Sequence, residues 1–548
     1  MSDVFSEFAL LLFAASVVGL VAIKLKQPLI VGFIAVGVLL GPSVSGLVTA
    51  NDQVDLLAKL GISLLLFIVG LKLDLHIIKA MGPVALATGV GQVLFTSLVG
   101  YFIAAAIGFN PIESVYIAVA LTFSSTIIIV KLLSDKREVD SLHGRIAVGF
   151  LIVQDILVIV AMIVLNAMNQ PENSQNIGLQ AVQVLFSGAA FVFIVALLMR
   201  YVLTPLLQTM AHSNELLILF SIAWAVSLGA IGSSLGFSKE VGAFLAGVSL
   251  ASTPYRDIIG SRLTSLRDFL LLFFFVDLGA SLNLAVMGEQ VTSALIFSFF
   301  VIVGNPLIVM IIMGVMGYRK RTGFLAGLTV AQISEFSLIL AALGVSLGHI
   351  NNSILGLITL VGLITISVST YMILYSQNLY QLIAPWLGLF EKKVTHRESS
   401  IETQNTAKTY DCVVFGLGRF GRTIVASFED KGMTVLGVDF NPEVIKKSLS
   451  KGIAAHYGDA EDIEFIASLN LNETKWIVCA THDKHINKAL TQALVGINFK
   501  GSLAYTAGEN STHLVDGLGE VLEIIPYEFA AKYAAEKILS NKVNELRN

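Results

Sequence analysis

The chain has 548 residues, of which 55% are hydrophobic and only 14% charged, with a formal net charge of −4. An ordinary soluble protein carries about 25% charged residues, so a wholly soluble protein is excluded. The deficit is confined to the stretch before about Tyr380, and from Glu391 onward the composition is that of a water-soluble domain.

The opening "MSDVFSEF" lacks the basic stretch of a cleavable signal, so the first apolar segment is expected to be retained in the membrane. A membrane span needs roughly 20 mostly apolar residues. Thirteen segments are candidates: 5–24, 29–47, 54–73, 81–108, 112–133, 145–168, 178–203, 215–235, 239–252, 266–286, 290–316, 323–347 and 353–377. Basic residues gather after odd-numbered spans, as in Lys24 and Lys26, Lys131 to Arg145, and Arg319 to Arg321. Even-numbered exits hold only Lys59 and Lys239. The positive-inside rule then sets the N-terminus outside and the C-terminal domain in the cytoplasm of a cell (inner or plasma) membrane.

The spans repeat. "GFIAVGVLLG" at 32–41 is echoed by "GAFLAGVSLA" at 242–251, and "LLLFIVGLKLDL" at 64–75 by "LLFFFVDLGASLNL" at 271–284. "YIAVALTFSSTIIIVKLL" at 116–133 has its counterpart in "GFLAGLTVAQISEFSLIL" at 323–340. The offset is seven spans, an odd number, so the second copy is inverted, which is the organisation of secondary transporters. Spans 5 and 12 carry polar clusters at mid-span, Thr122, Ser124, Ser125 and Thr126 in one, Gln332, Ser334 and Glu335 in the other. Such clusters can satisfy the backbone of an interrupted helix. Glu335 reads as a structural carboxylate that offsets the ends of the broken helices or pairs within the bundle.

Ionisable residues inside spans cost at least about 2.5 kcal/mol each and default to functional hypotheses. Asp155, in "FLIVQDILVIV" at 150–160, and Asp277 and Glu335 are the deep ones by this reading. In a water-filled cavity a carboxylate can hold either a proton or a desolvated monovalent cation. One group with two exclusive occupants is the minimal machine for exchange. Gln154 is expected to add a neutral oxygen ligand without a second titrating group.

The motifs "GFIAVGVLLGP" at 32–42, "LGISLLLFIVGLKLDL" at 60–75, "ALTFSST" at 120–126, "GRIAVGFLIVQDI" at 144–156, "GAFLAGVSLA" at 242–251 and "QISEF" at 332–336 together resemble the Kef-type members of the cation:proton antiporter-2 family. The resemblance implies an NhaA-like α-helical antiporter fold with thirteen spans, inverted repeats and a homodimer. Spans 4–6 and 11–13 would form an ion-carrying core that moves like an elevator against spans 1–3 and 8–10. It also implies that Gln154-Asp155 matches the family's Gln-Asp pair, with Asp155 as the exchanging carboxylate. Ser124, Ser125 and Thr126 would lie beside a bound monovalent cation, with Asp277, Asn305, Gln332 and Glu335 as supporting polar residues. One carboxylate instead of two implies electroneutral exchange of potassium for protons. Sodium/proton exchange and a ligand-gated potassium channel are the alternatives. Departures are Asn305-Pro306 in span 11, where many relatives have a lysine nearby, Asp277 in place of a small polar residue, and Lys72 in place of glutamate.

Residues 1–380 form the membrane domain in this reading, 381–408 a linker whose first half lies as a helix at the membrane surface, and 409–548 an α/β Rossmann-like domain. "YDCVVFGLGRFGRTIVASFEDKGMTVLGVDFN" reads as strand, glycine turn, helix and strand. Gly416, Gly418 and Gly421, with Arg419 and Phe420 between them, form G-x-G-x-x-G, and Asp439 ends the next strand. That pattern fits a nucleotide whose phosphates sit at the helix N-terminus and whose ribose meets the acid. Asp459 and Thr481 would line the same ligand. The domain resembles the RCK/TrkA-N type, which implies regulation by AMP, NAD(H) or a similar adenine nucleotide. No basic residue appears in "AYTAGENSTH" at 504–513, and no acidic-basic lock is evident in "STPYRDIIGSRLTSLRD", expected as a loop, so glutathione control is not expected. No enzymatic activity, transport cofactor or nucleic-acid partner is expected. Cys412 and Cys479 suggest no disulfide framework.

Overall fold

The computed structural model describes residues 4–47, 52–72, 75–136, 138–139, 141–167, 194–195, 197–210, 213–234, 239–281, 284–390, 409–460, 463–469, 471, 473–481, 484–506 and 519–545. The chain divides into two compact units, one built from Met1–Val139, His143–Met316 and Lys320–Glu391, the other centred on Lys392–Asn548.

The first unit is a multi-span α-helical membrane protein. Its helices are α1 (Val4–Lys24), α2 (Leu29–Leu40), α3 (Asp52–Lys72), α4 (Leu75–Ile107), α5 (Pro111–Ala120), α6 (Thr126–Asp135) and α7 (Leu142–Ala167). After a π-helical turn, Met199–Leu203, come α8 (Thr204–Met210), α9 (Asn214–Ser234), α10 (Lys239–Ala251) and α11 (Arg256–Ala280). Then α12 (Leu284–Phe299) leads through a π-helical turn, Phe300–Gly304, into α13 (Asn305–Val315). The unit ends with α14 (Lys320–Leu328), α15 (Glu335–Ser346), α16 (Asn352–Leu374) and α17 (Ser376–Leu387). Among the described residues seven helices are long and apolar enough to cross a membrane, and α2, α5 and α15 are shorter apolar helices. The expected seventh span, 178–203, lies mostly outside the described residues.

The two interruptions fall at the polar clusters. The fifth span breaks at 121–125 between α5 and α6, and the twelfth at 329–334 between α14 and α15. A capping box of Asn110 and Glu113, with Pro111 at the first helical position, starts α5. Ser125 caps α6 by accepting from the Ile128 amide at 3.2 Å, and Ser334 caps α15 by accepting from the Phe336 amide at 2.8 Å. Each side-chain oxygen meets one of the amides that a helix start leaves without a partner.

Packing repeats with the same inversion as the sequence. α2 crosses α11 where Gly37 and Gly279 face each other, and a Cβ on either would come within 2.2 Å of a carbonyl oxygen on the other helix. The equivalent crossing joins α3 and α10, where a Cβ on Gly70 or Gly247 would stand 2.3 Å from Phe244 O or 1.9 Å from Phe67 O. Spans 2 and 10 thus pack as spans 9 and 3 do, which is what an inverted repeat requires. One buried cluster joins α1, α2, α3, α9, α10 and α11, and a second joins α5, α7, α12, α15 and α16 to the other faces of α2, α3 and α11.

Two expectations change. "STPYRDIIGSRLTSLRD" is not a loop, because helix α11 begins at Arg256 and runs unbroken to Ala280. Asp277 is therefore not deep, since it lies in the last turn of α11. Its electrostatic neighbours are Asp55 and Lys59 in the first two turns of α3, themselves paired at 2.5 Å. The 381–408 segment opens inside α17, whose Leu382 and Trp386 are exposed, and 391–408 lies outside the described residues.

The second unit is a six-stranded, all-parallel sheet. Its elements are β1 (Cys412–Phe415), α18 (Arg419–Glu429), β2 (Val435–Asp439), α19 (Pro442–Leu449), β3 (Ala455–Tyr457), α20 (Ile463–Ser468), β4 (Trp476–Cys479), α21 (Lys484–Gly496), β5 (Ser502–Thr506), β6 (Val521–Ile524) and α22 (Pro526–Glu545). The strand order is β3-β2-β1-β4-β5-β6. Alternate residues of β1 enter two apolar layers, Val413 and Phe415 in one, Cys412 and Val414 in the other, so both faces of the sheet are covered. The order reverses between β1 and β4, and a doubly wound sheet binds ligands outside the strand ends at that point.

Candidate functional site

Residue 155 lies midway along the 26-residue α7. Asp155 is half-buried, and its Oδ2 accepts a hydrogen bond from Thr126 Oγ1 at 3.0 Å. Thr126 is the first residue of α6, one place after the cap Ser125. Glu335 is the first residue of α15, lies near the Ser125 hydroxyl, and is electrostatically coupled to Asp155. The N-termini of both half-helices therefore converge on two carboxylates. A helix N-terminus carries about half a positive charge, so the pairing compensates charge that the breaks expose.

A side-chain network holds the first break open. The Ser124 amide donates to Gln154 Oε1 at 3.0 Å, and Gln154 Nε2 donates to Gln92 Oε1 at 2.7 Å. Gln92 Nε2 donates to Thr96 Oγ1 at 3.1 Å and to the Thr122 carbonyl at 3.2 Å. Thr96 Oγ1 donates to Asn305 Oδ1 at 2.9 Å, and Asn305 Nδ2 reaches the Leu121 carbonyl at 3.2 Å. Backbone groups freed at 121, 122 and 124 are thus met by α4, α7 and α13. Gln154 is fully buried with both ends of its amide engaged, so it braces the break instead of offering a free oxygen to a cation. Gln92 and Thr96 were not singled out from the sequence. Two polar residues four apart on one face of an apolar span were the available signal.

The second break is held from α16. Thr365 Oγ1 accepts from the Ile333 amide at 3.3 Å, and Ser369 Oγ donates to Gln332 Oε1 at 2.6 Å. Several polar atoms here have no hydrogen-bond partner: Gln332 Nε2, Ser337 Oγ and both carboxylate oxygens of Glu335. Glu335 thus stands at the helix end as expected but does not pair within the bundle. Asp277, in the last turn of α11, is not part of this group.

In the second unit Gly416 has φ +92°, a left-handed conformation that glycine tolerates best. A Cβ on Gly421 would stand 1.8 Å from the Gly416 carbonyl oxygen, so the tight turn requires glycine there. A Cβ on Gly418 would meet nothing within 4 Å, which leaves the start of α18 open to a ligand. These residues fit a nucleotide phosphate. Arg419 is exposed and Phe420 half-buried at that start, and Thr481 approaches Gly416 from the end of β4. Asp439 is buried, accepting from the Leu417 amide at 2.7 Å and the Asn441 amide at 2.8 Å. Its carboxylate therefore braces the glycine turn, with one bond to each oxygen. Burial pushes its pKa up, and the neighbouring Asp459 adds to this, against the opposing pull of the two amides and Arg422. The region 507–513 lies outside the described residues.

A family model described as "Sodium/hydrogen exchanger, transmembrane" matches residues 11–374, and one described as "TrkA-N domain" matches 412–507. Among curated proteins, the iron transporter MagA of Paramagnetospirillum magneticum is 29% identical over 71% of this chain and 89% of its own. The putative cation/proton antiporter YbaL of Escherichia coli is 25% identical over 85% of this chain and 84% of its own. The putative K(+) efflux antiporter KefB of Alkalimonas amylolytica is 26% identical over 85% and 70%.

Proposed function

Because the chain belongs to the sodium/hydrogen exchanger family, as a Kef-type cation:proton antiporter with a C-terminal TrkA-N domain, we propose that it exchanges potassium for protons at Asp155. The observation that carries this reading is the Thr126–Asp155 hydrogen bond at the meeting point of two broken helices. Asp155 is half-buried, so an ion can reach it while the surrounding bundle limits its hydration. A proton and a monovalent cation compete for the carboxylate, and either one neutralises it. Exchange at a single carboxylate is one for one and electroneutral. Relatives named as antiporters of K(+) favour potassium over sodium.

An elevator in which spans 4–6 and 11–13 carry the ion against spans 1–3 and 8–10 belongs to the same proposal. So do the homodimer, the outside N-terminus and the cytoplasmic TrkA-N domain. An adenine nucleotide, AMP or NAD(H), held at Gly416, Gly418 and Gly421 with its phosphates at the amides of Arg419 and Phe420, would regulate the exchange. Asp439, Asp459 and Thr481 would border it.

The test is proton flux in liposomes loaded with purified protein, driven by potassium or by sodium gradients. Potassium-dependent flux is expected, and it should vanish in Asp155→Asn. Flux that persists in that variant would remove Asp155 from the mechanism, and a sodium preference would overturn the choice of ion.

A further inference from the structure

Glu335 is 1% exposed, and neither of its carboxylate oxygens has a hydrogen-bond partner. An effective penalty of several kcal/mol attends a buried ion. An acid placed at a helix start only to complement the dipole gains about 0.3–1 kcal/mol, and up to about 2 in buried geometry. Its own backbone amide and the Ser125 hydroxyl lie close to the carboxylate, but neither contact closes to a full hydrogen bond, so the dipole and these two neighbours do not account for burying it. Here the cap of α15 is Ser334, not Glu335. The other charges that face Glu335 are Asp155 on α7 and, on α11, Arg267 and Asp268. Arg267 directs its guanidinium to Asp268, at 2.9 and 2.7 Å, and forms no ion pair with Glu335.

Charge at the site gives the unpaired group a use. At each break a helix C-terminus with about half a negative charge faces an N-terminus with about half a positive one, so the helix ends roughly cancel and the carboxylates set the charge of the site. A second carboxylate beside Asp155 therefore strengthens the hold on a cation beyond what Asp155 alone gives.

We infer that Glu335 is a second ligand of the transported cation, which rests between Asp155 and Glu335 where the starts of α6 and α15 meet. The inference rests on the reading of Asp155 as the exchanging carboxylate, but it assigns the cation a partner from the other half of the inverted repeat. Each repeat then supplies one half-helix start to the same ion.

The experiment compares the full chain with Glu335→Gln and Glu335→Asp in two readouts. One is the potassium KM and Vmax of proton exchange in liposomes. The other is thermal stabilisation of the purified protein by potassium chloride against choline chloride at equal ionic strength. In Glu335→Gln the KM should rise about tenfold, equivalent to about 1.4 kcal/mol of lost binding, with Vmax largely kept, and potassium stabilisation should weaken in parallel. Glu335→Asp, which keeps the charge on a shorter arm, should fall between the two. If Glu335→Gln does not survive purification, Glu335→Asp decides, and an unchanged KM in it overturns the inference. Exchange in the unmodified chain with the same KM and stabilisation in Glu335→Gln would remove Glu335 from the site and leave Asp155 in place. No exchange in the unmodified chain, with potassium stabilisation that Glu335→Gln abolishes, would overturn the transport reading and keep the ligand.

Discussion

The two broken spans are copies of one design, yet they are finished differently. At the first, Gln92, Thr96, Gln154 and Asn305 form a closed network that meets the backbone at residues 121, 122 and 124. At the second, two hydroxyls of α16 hold Ile333 and Gln332, and the carboxylate of Glu335 is left without a partner. Ser124 Oγ at the first break is also without a partner, so the difference lies in the carboxylates: the first break presents one that is hydrogen-bonded and half-buried, the second one that is buried and unpartnered.

The comparison can be broken most forcefully at Gln92. Its removal leaves Gln154 Nε2 and the Thr122 carbonyl buried without partners, at about 1–3 kcal/mol for each group left unsatisfied. Gln92→Ala should lower the melting temperature of the purified protein more than any change at the second break. Equal melting temperatures would mean that the network is not a frame. Thr365→Val removes one acceptor, for a single 3.3 Å bond from the Ile333 amide, and should cost about 0.5–1.5 kcal/mol by the same measurement. A loss as large as that of Gln92→Ala would erase the contrast. Thr126→Val should leave stability nearly unchanged while raising the potassium KM severalfold, because its hydroxyl serves the carboxylate and not the backbone. A stability loss with normal KM would turn Thr126 into part of the frame.

A third helix start, that of α18 in the TrkA-N domain, sharpens the contrast from outside the membrane. There the carboxylate of Asp439 is spent on bracing the turn, and the opening at Gly418 is left for a ligand. Asp439→Ala should weaken binding of NADH or AMP to the purified protein in a titration, by loosening the turn. Unchanged affinity would show that the glycines hold their shape without it.

The sequence made some of this legible and hid the rest for physical reasons. Asp155 was visible because a carboxylate in an apolar run has few explanations. The breaks were visible because hydroxyls and amides cluster where a helix must stop. The partners of the breaks were not, because Thr96 meets Asn305 across 209 residues and Gln332 meets Ser369 across 37, and no local pattern encodes such pairings. Asp277 was misplaced because hydropathy centres a span on its apolar stretch. The real helix begins among the charges at Arg256, and this shift carries Asp277 into its final turn. Gln154 was read as a ligand because its amide looked free in one dimension, whereas the fold occupies both of its ends.

The central claim is that a potassium ion and a proton compete for Asp155. Calorimetric titration of potassium chloride into the purified protein, in weak buffer with a pH indicator, measures both at once. Binding should release about one proton per potassium ion in the unmodified chain, as exclusive occupancy of one carboxylate demands, and Asp155→Asn should show neither heat nor release. Potassium binding without proton release, or release that survives in Asp155→Asn, would contradict the account.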